Sequence, residues 1–286
     1  MTAGAHGRRD WWYPRSENPG PGAPGFVVIG EVRTDFEAGL FGEFMSVWVK
    51  ICGNTTLEDA ELAVAAGADA VGFVFADGPR RVTVEAVEGI APRLAGRVER
   101  IGVFVEAEAA RIIDTVERCG LTGVQLHGGA TSAETAKLVR ARFGAGLRLL
   151  RVVHFGAEAG AEVSALGEAI SEAMRADLKP GAGLLAGLGG GLDAVLVDTK
   201  TATAVGGTGV PFDWAEARRT IFGGESGVRL IAAGGLRPEN VAEAIRVLRP
   251  WGVDVASGVE AAPGRKDAAR VSAFVERARA AAREFC

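Results

Sequence analysis

Cysteine is scarce in this chain: Cys52, Cys119 and Cys286 are odd in number and far apart. That spacing excludes a disulfide framework and a zinc pattern, and it favours a reducing, cytosolic setting. Charge of one sign is lacking as well. A formal net charge of −4 over 286 residues gives no case for nucleic acid or a membrane surface as a partner. No apolar run approaches the roughly 18 residues needed to span a bilayer. The apolar stretch nearest the N-terminus, residues 26–29, is shorter than the roughly 7–15 residues of a signal-peptide core. What is left is a globular composition, 48% hydrophobic, long enough for one large core or two small ones.

Residues 1–25 contribute little to such a core. They are rich in Gly, Pro and Arg, with Trp11, Trp12 and Tyr13 clustered among them, and that composition reads as disordered. The chain therefore divides into an extension, 1–44, disordered or not native to the protein, and a single domain, 45–286, opening at Met45. A partner-binding arm built on the aromatic cluster is the alternative for the extension.

From Met45 onward, runs rich in Val, Ile and Phe alternate with stretches of helical period, the signature of repeated βα units and a parallel sheet. Eight strands are expected, at 47–51, 70–75, 100–105, 123–126, 147–153, 194–197, 228–232 and 253–256, each followed by a helix. Thr55-Thr56-Leu57-Glu58 matches a capping box for the first helix, and Pro238 suits the first turn of the seventh. The last helix places Ala268, Val271, Val275, Ala278 and Ala282 on one stripe. Eight units in this length fit the roughly 250 residues of a (β/α)8 TIM barrel, whereas an open doubly wound sheet normally needs fewer strands.

A barrel of this kind carries its chemistry on the loops that follow the strands. Cys52 and Gly53 follow strand one, and Asp77-Gly78-Pro79-Arg80-Arg81 follows strand two. Strand four ends in Gln125-Leu126-His127-Gly128, and strand six ends at Asp198 and leads into Gly206-Gly207-Thr208-Gly209. Gly234-Gly235 and Ser257-Gly258 follow strands seven and eight, where bare backbone N–H groups near a helix start can cradle a phosphate. Lys50 lies two residues before Cys52 and shares its inward face, so it needs a carboxylate. Asp254, on the neighbouring strand eight, is the candidate. Structural pairing and thiolate activation both remain open for Lys50.

Taken from the residues alone, several sites have two readings. A lone buried cysteine is usually a small hydrophobe, which suits Cys119 on its helix. Cys52 differs because strand parity and the following glycine put it at the catalytic face. Asp198 could cap a turn, Arg81 could be a solvated loop charge, and His127 could be a satisfied structural histidine.

Ordered blocks then carry a family resemblance. Lys50-Ile51-Cys52-Gly53, Gly72-Phe73-Val74-Phe75, Val124-Gln125-Leu126-His127-Gly128, Val197-Asp198-Thr199-Lys200, Phe212-Asp213-Trp214, Gly234-Gly235-Leu236-Arg237-Pro238-Glu239-Asn240-Val241 and Ser257-Gly258-Val259-Glu260 occur in sequence. Over nearly all of 47–280 the chain resembles the phosphoribosylanthranilate isomerases, (β/α)8 barrels of tryptophan biosynthesis. The resemblance implies an Amadori rearrangement of a phosphosugar-anthranilate substrate without metal or organic cofactor, with Cys52 as general base and Asp198 as general acid. It also implies that Arg81 meets the anthranilate carboxylate and that His127 lies near the substrate. His154 has no counterpart, so a structural role is expected.

Two departures stand out. Pro79 occupies a position where this family often has serine, and residues 178–192 look like a Gly-rich insertion on the face away from the chemistry. Among rivals, the histidine-pathway aminoaldose isomerase has an aspartate at the base position and a half-barrel repeat, and neither occurs here. An inactive phosphosugar-binding barrel would be free to lose Cys52, Asp198 and the glycines. A monomer and a homodimer are equally consistent with the residues.

Overall fold

The computed structural model describes residues 46–128, 130–154, 191–198, 214–222 and 229–285. The expectations for 1–44, for Gly207 and its loop, for Thr199, Lys200, Phe212 and Asp213, for Cys286, for the helix after strand five and for most of 178–192 lie outside these residues. Among the described residues, no helix is long and apolar enough to cross a membrane.

Eight parallel strands close into a barrel in sequence order: β1 Trp48–Ile51, β2 Ala70–Val74, β3 Glu99–Val105, β4 Gly123–His127, β5 Arg148–His154, β6 Ala194–Asp198, β7 Leu230–Ala233 and β8 Gly252–Val255. β8 pairs with β1 to complete it, with Lys50 opposite Asp254 in register. The strands read as mainly apolar runs because both faces are covered. One face packs inward, where Trp48, Ala70, Ile101, Leu150, Val152, Ala194, Leu196, Ile231 and Ala233 form one cluster. The other packs under the helices, where Val49, Ile51, Phe73, Leu149 and Val195 join a larger one.

The helices described are α1 Leu57–Ala65, α2 Val84–Ile90, α3 Ala109–Cys119, α4 Ala130–Phe143, α5 Trp214–Ala217, α6 Val241–Leu248 and α7 Ala268–Arg283. A small antiparallel hairpin, β9 Glu260–Ala262 with β10 Arg265–Lys266, intervenes between β8 and α7.

Local chemistry moved two of the expected helix starts. The α1 cap is Thr56, whose side chain accepts from the Asp59 N–H at 3.2 Å, one residue later than the expected box. Thr55 is drawn away to donate its hydroxyl to the Gly264 carbonyl at 2.6 Å. Pro238 sits in the turn ahead of α6, whose cap residue is Asn240. The amide of Asn240 ties that turn down, accepting from Arg237 N–H at 2.8 Å and donating to Gly235 O at 3.1 Å. On α7 the buried stripe is Val271, Phe274, Val275, Ala278 and Ala281; of the expected residues, Ala282 packs against it half-buried and Ala268 is exposed.

Candidate active site

Strand alternation sets the interior in tiers. Behind Trp48 on β1 come Lys50 and then Cys52. On β4 the same side carries Gly123, Gln125 and His127, and on β6 it carries Ala194, Leu196 and Asp198. The uppermost tier opens into a cavity of about 290 Å³ at the C-terminal ends of the strands. Cys52, Asp198, His127, Asp254, Gly234, Gly235 and Ser257, all singled out from the sequence, line it together. Val74, Val103, Val105 and Leu196 form its apolar wall.

Two sequence candidates sit elsewhere. Arg81 pairs with Asp77 at 2.6 Å on the exposed rim, and the arginine on the cavity wall is its neighbour Arg80. Gly258 serves the packing of two loops, since a Cβ there would fall 2.0 Å from the Leu236 carbonyl oxygen. Gly234 and Gly235 have φ of 85° and 64°, conformations that glycine adopts without penalty.

Cys52 is held on every side. Its N–H donates to the Val255 carbonyl at 2.7 Å, and its own carbonyl accepts from Lys266 Nζ at 2.6 Å. Its thiol lies over Gly72, where a Cβ would come within 2.7 Å of Sγ. Beneath it, Lys50 donates to Asp254 Oδ1 at 2.8 Å with a fully buried side chain, so the carboxylate expected for this lysine is present. Beside it, Arg80 grips Glu260 through Nε at 2.7 Å and Nη2 at 2.6 Å.

These neighbours compete over protons. Burial works to strip Lys50 of its charge, but Asp254 and Cys52 outweigh it and hold the ammonium above its ordinary range. Burial also pushes the Cys52 thiol up. Lys50 and Lys266 oppose that rise, Asp254 reinforces it, and the net direction is upward. His127 is pushed down to about 4, first by burial and then by the charges of His154 and Lys50, so its imidazole is neutral. Gln125 Nε2 lies 3.0 Å from His127 Nε2. Its Oε1 is buried without a hydrogen-bond partner.

Gln125, named from the sequence only as part of the strand-four end, and His154, expected to be structural, also belong to this interior. His154 pairs in register with Asp198, and its ring centroid lies 6.2 Å from that of His127. Strand period gives Gln125 and His154 the same inward parity as His127 and Asp198. Glu260 and Lys266 carried no local signal, because their partners are distant in sequence. Cys119 is the packed thiol expected of it, pushed up to about 11 chiefly by burial.

Comparison with known proteins supplies the rest. Residues 49–172 and 183–277 match the family model described as N-(5'-phosphoribosyl)anthranilate (PRA) isomerase. The break in that match overlaps the start of the segment read as an insertion. The isomerase of Geobacter sulfurreducens is 41% identical over 235 residues, which cover 82% of this chain and 98% of the relative. The crystal structure of the Thermotoga maritima phosphoribosyl anthranilate isomerase is 35% identical with a TM-score of 0.63, covering 82% of this chain and 99% of that one. A second structure of such an isomerase, in complex with reduced 1-(o-carboxyphenylamino)-1-deoxyribulose 5-phosphate, is 34% identical with a TM-score of 0.61 over the same shares of the two chains. Every residue that lines the cavity lies within the matched segments, and the chain belongs to the N-(5'-phosphoribosyl)anthranilate isomerase family.

Proposed function

We propose that this chain converts N-(5'-phosphoribosyl)anthranilate to 1-(2-carboxyphenylamino)-1-deoxyribulose 5-phosphate in tryptophan biosynthesis, with Cys52 as base and Asp198 as acid. The observation that carries the assignment is that both side chains line one cavity, at the ends of β1 and β6. As a carboxylic acid, Asp198 delivers a proton to the ring oxygen. The C1'–O bond then breaks, and the anthranilate nitrogen lone pair forms an open-chain iminium. That cation acidifies the C2' proton, which Cys52 removes as a thiolate. The C2'–H electron pair flows toward nitrogen to give an enolamine, which tautomerises to the ketone.

A raised thiol proton affinity leaves little thiolate at neutral pH, yet makes that thiolate a stronger base. Lys50 and Lys266 limit the shortfall in population. The neutral His127 adds a hydrogen-bonding group without a competing charge. The glycines and Ser257 after β7 and β8 suit the substrate phosphate through backbone N–H groups. The valine wall suits the aromatic ring, and the loop bearing Arg80 and Arg81 supplies guanidinium groups that match a carboxylate by two-point hydrogen bonding. The two free buried thiols, Cys52 and Cys119, support a cytoplasmic setting for the enzyme.

The test is turnover of enzymatically generated substrate, followed as loss of its fluorescence, for the parent, Cys52→Ala and Asp198→Asn. Each substitution should lower kcat by about 10²–10⁴-fold, with binding of the reduced product analogue retained. A parent that binds the analogue yet turns nothing over would overturn the reading in favour of a binding protein.

A further inference from the structure

We propose that Lys266, outside the cavity, is a positioning residue for the reaction: it locks the Cys52 carbonyl, and through it the thiol, to the C-terminal hairpin. The proposal rests on Cys52 being the base. Lys266 has a fully buried side chain, and its ammonium has three acceptors. They are the Cys52 carbonyl at 2.6 Å, the Ala256 carbonyl at 3.2 Å and Glu260 Oε1 at 3.2 Å. The two carbonyls belong to the residues that immediately follow β1 and β8, so one ammonium pins both strand ends. Its backbone N–H donates to Asp59 Oδ1 at 2.9 Å, which anchors the hairpin to α1.

Glu260 extends the lock. Its carboxylate is shared between Lys266 and Arg80, and Arg80 comes from the loop after β2. Gly53, next to Cys52, leaves room for that arginine, since a Cβ there would meet Arg80 Cδ at 2.6 Å. Loops after β1, β2 and β8 thus converge on one buried cluster directly behind the thiol. The charged groups facing Cys52 are Lys50 and Asp254 from the strands below, Lys266 and Glu260 from the hairpin, and Arg80 from the β2 loop. Cations outnumber anions in that set, which favours a thiolate against the burial that opposes it. A long amine that does not itself line the cavity makes no contact with substrate from this position. It changes where the thiol points and how readily it gives up its proton.

Lys266→Met, Lys266→Arg and Glu260→Gln in the full chain test this. The measurements are kcat and KM, affinity for the reduced product analogue, and the pH midpoint of Cys52 alkylation read on its own peptide by mass spectrometry. Lys266→Met should lower kcat by about 10–100-fold, the scale of a misplacement near 1 Å, with KM and analogue affinity within about threefold. Its alkylation midpoint should rise by about one pH unit, and Lys266→Arg should recover part of both changes. An unchanged kcat and midpoint in a folded Lys266→Met overturns the proposal. So does a parallel loss of kcat and analogue affinity, which marks a merely structural lysine.

Where Lys266→Met does not fold, Glu260→Gln decides. It keeps an acceptor for Lys266 while removing a negative charge, so the midpoint should fall, and an unchanged or higher midpoint overturns the proposal. Parent-like turnover by Cys52→Ala overturns the base assignment itself. An inactive Cys52→Ala beside an unaffected Lys266→Met overturns only the role given to Lys266.

Discussion

Gly72→Ala should damage both turnover and stability, and the structure sets the size of both effects. An alanine Cβ at this position would lie 2.7 Å from Cys52 Sγ, 3.1 Å from Cys52 Cα and 3.1 Å from Lys50 Cε. Ordinary contacts between such atoms are about 3.5–4.0 Å, so close to 1 Å must be given up. The Cys52 backbone cannot supply it cheaply, being tied through N–H to Val255 and through C=O to Lys266. The thiol must therefore rotate or the β1 end must shift. Overpacking of this kind costs about 1–3 kcal/mol, or about 2–4 °C in Tm per kcal/mol for a domain of this size. A base misplaced by about 1 Å loses on the order of 10²-fold in kcat, equivalent to about 2.7 kcal/mol of barrier. The assay is substrate turnover well below the melting temperature, beside a thermal melt and binding of the reduced product analogue. Gly89→Ala is the control: Gly89 lies in α2 with no atom within 4 Å of the added carbon. It should stabilise by about 0.5–1 kcal/mol and leave kcat alone. Parental kcat in Gly72→Ala would refute the argument that this glycine exists to seat the thiol.

Three further expectations follow from the same interior. Asp254→Ala leaves the Lys50 ammonium buried and unpaired and should cost about 3–5 kcal/mol in urea denaturation, while Lys50→Met with Asp254→Leu should return much of that loss; a cost below about 1 kcal/mol for the single change contradicts the buried pairing. Because the Cys52 thiol is pushed above its usual value near 9, log kcat/KM should climb with pH by about one unit per unit to pH 9 or beyond, and a plateau below pH 8 argues against that direction. His127 is depressed to about 4 in the folded chain against about 6.5 unfolded, so the unfolded chain takes the proton first. Its contribution to stability is therefore complete above about pH 6.5 and lost as pH falls toward 4. His127→Gln should flatten that acid limb of the urea midpoint, and identical slopes would count against a buried neutral imidazole.

The division between what was and was not legible in the sequence follows from how far each feature reaches. Eight strands could be read because both faces of a parallel strand are buried, so each appears as a short, mainly apolar run, and their ends came within about two residues of those observed. Cys52 and Asp198 could be read because the side-chain period of a strand is local: once the strand is fixed, the inward residue at its tip is fixed too. The same rule, combined with closure of β8 onto β1, put Asp254 beside Lys50 across 204 residues. The choice between Arg80 and Arg81 was not available in this way, because a loop has no period to say which of two adjacent arginines turns inward. Lys266 was further out of reach, since its link to Cys52 spans 214 residues and depends on a hairpin that no apolar pattern announces. The thiol's proton affinity was beyond the sequence for a different reason. Burial and the adjacent lysines push it in opposite directions, so its sign depends on distances rather than on residue types. This barrel thus advertises the residues that line its cavity through strand period, while the long side chains packed behind them reach across loops. Searches for positioning residues are therefore best directed at fully buried lysines and arginines whose partners are backbone carbonyls at strand ends.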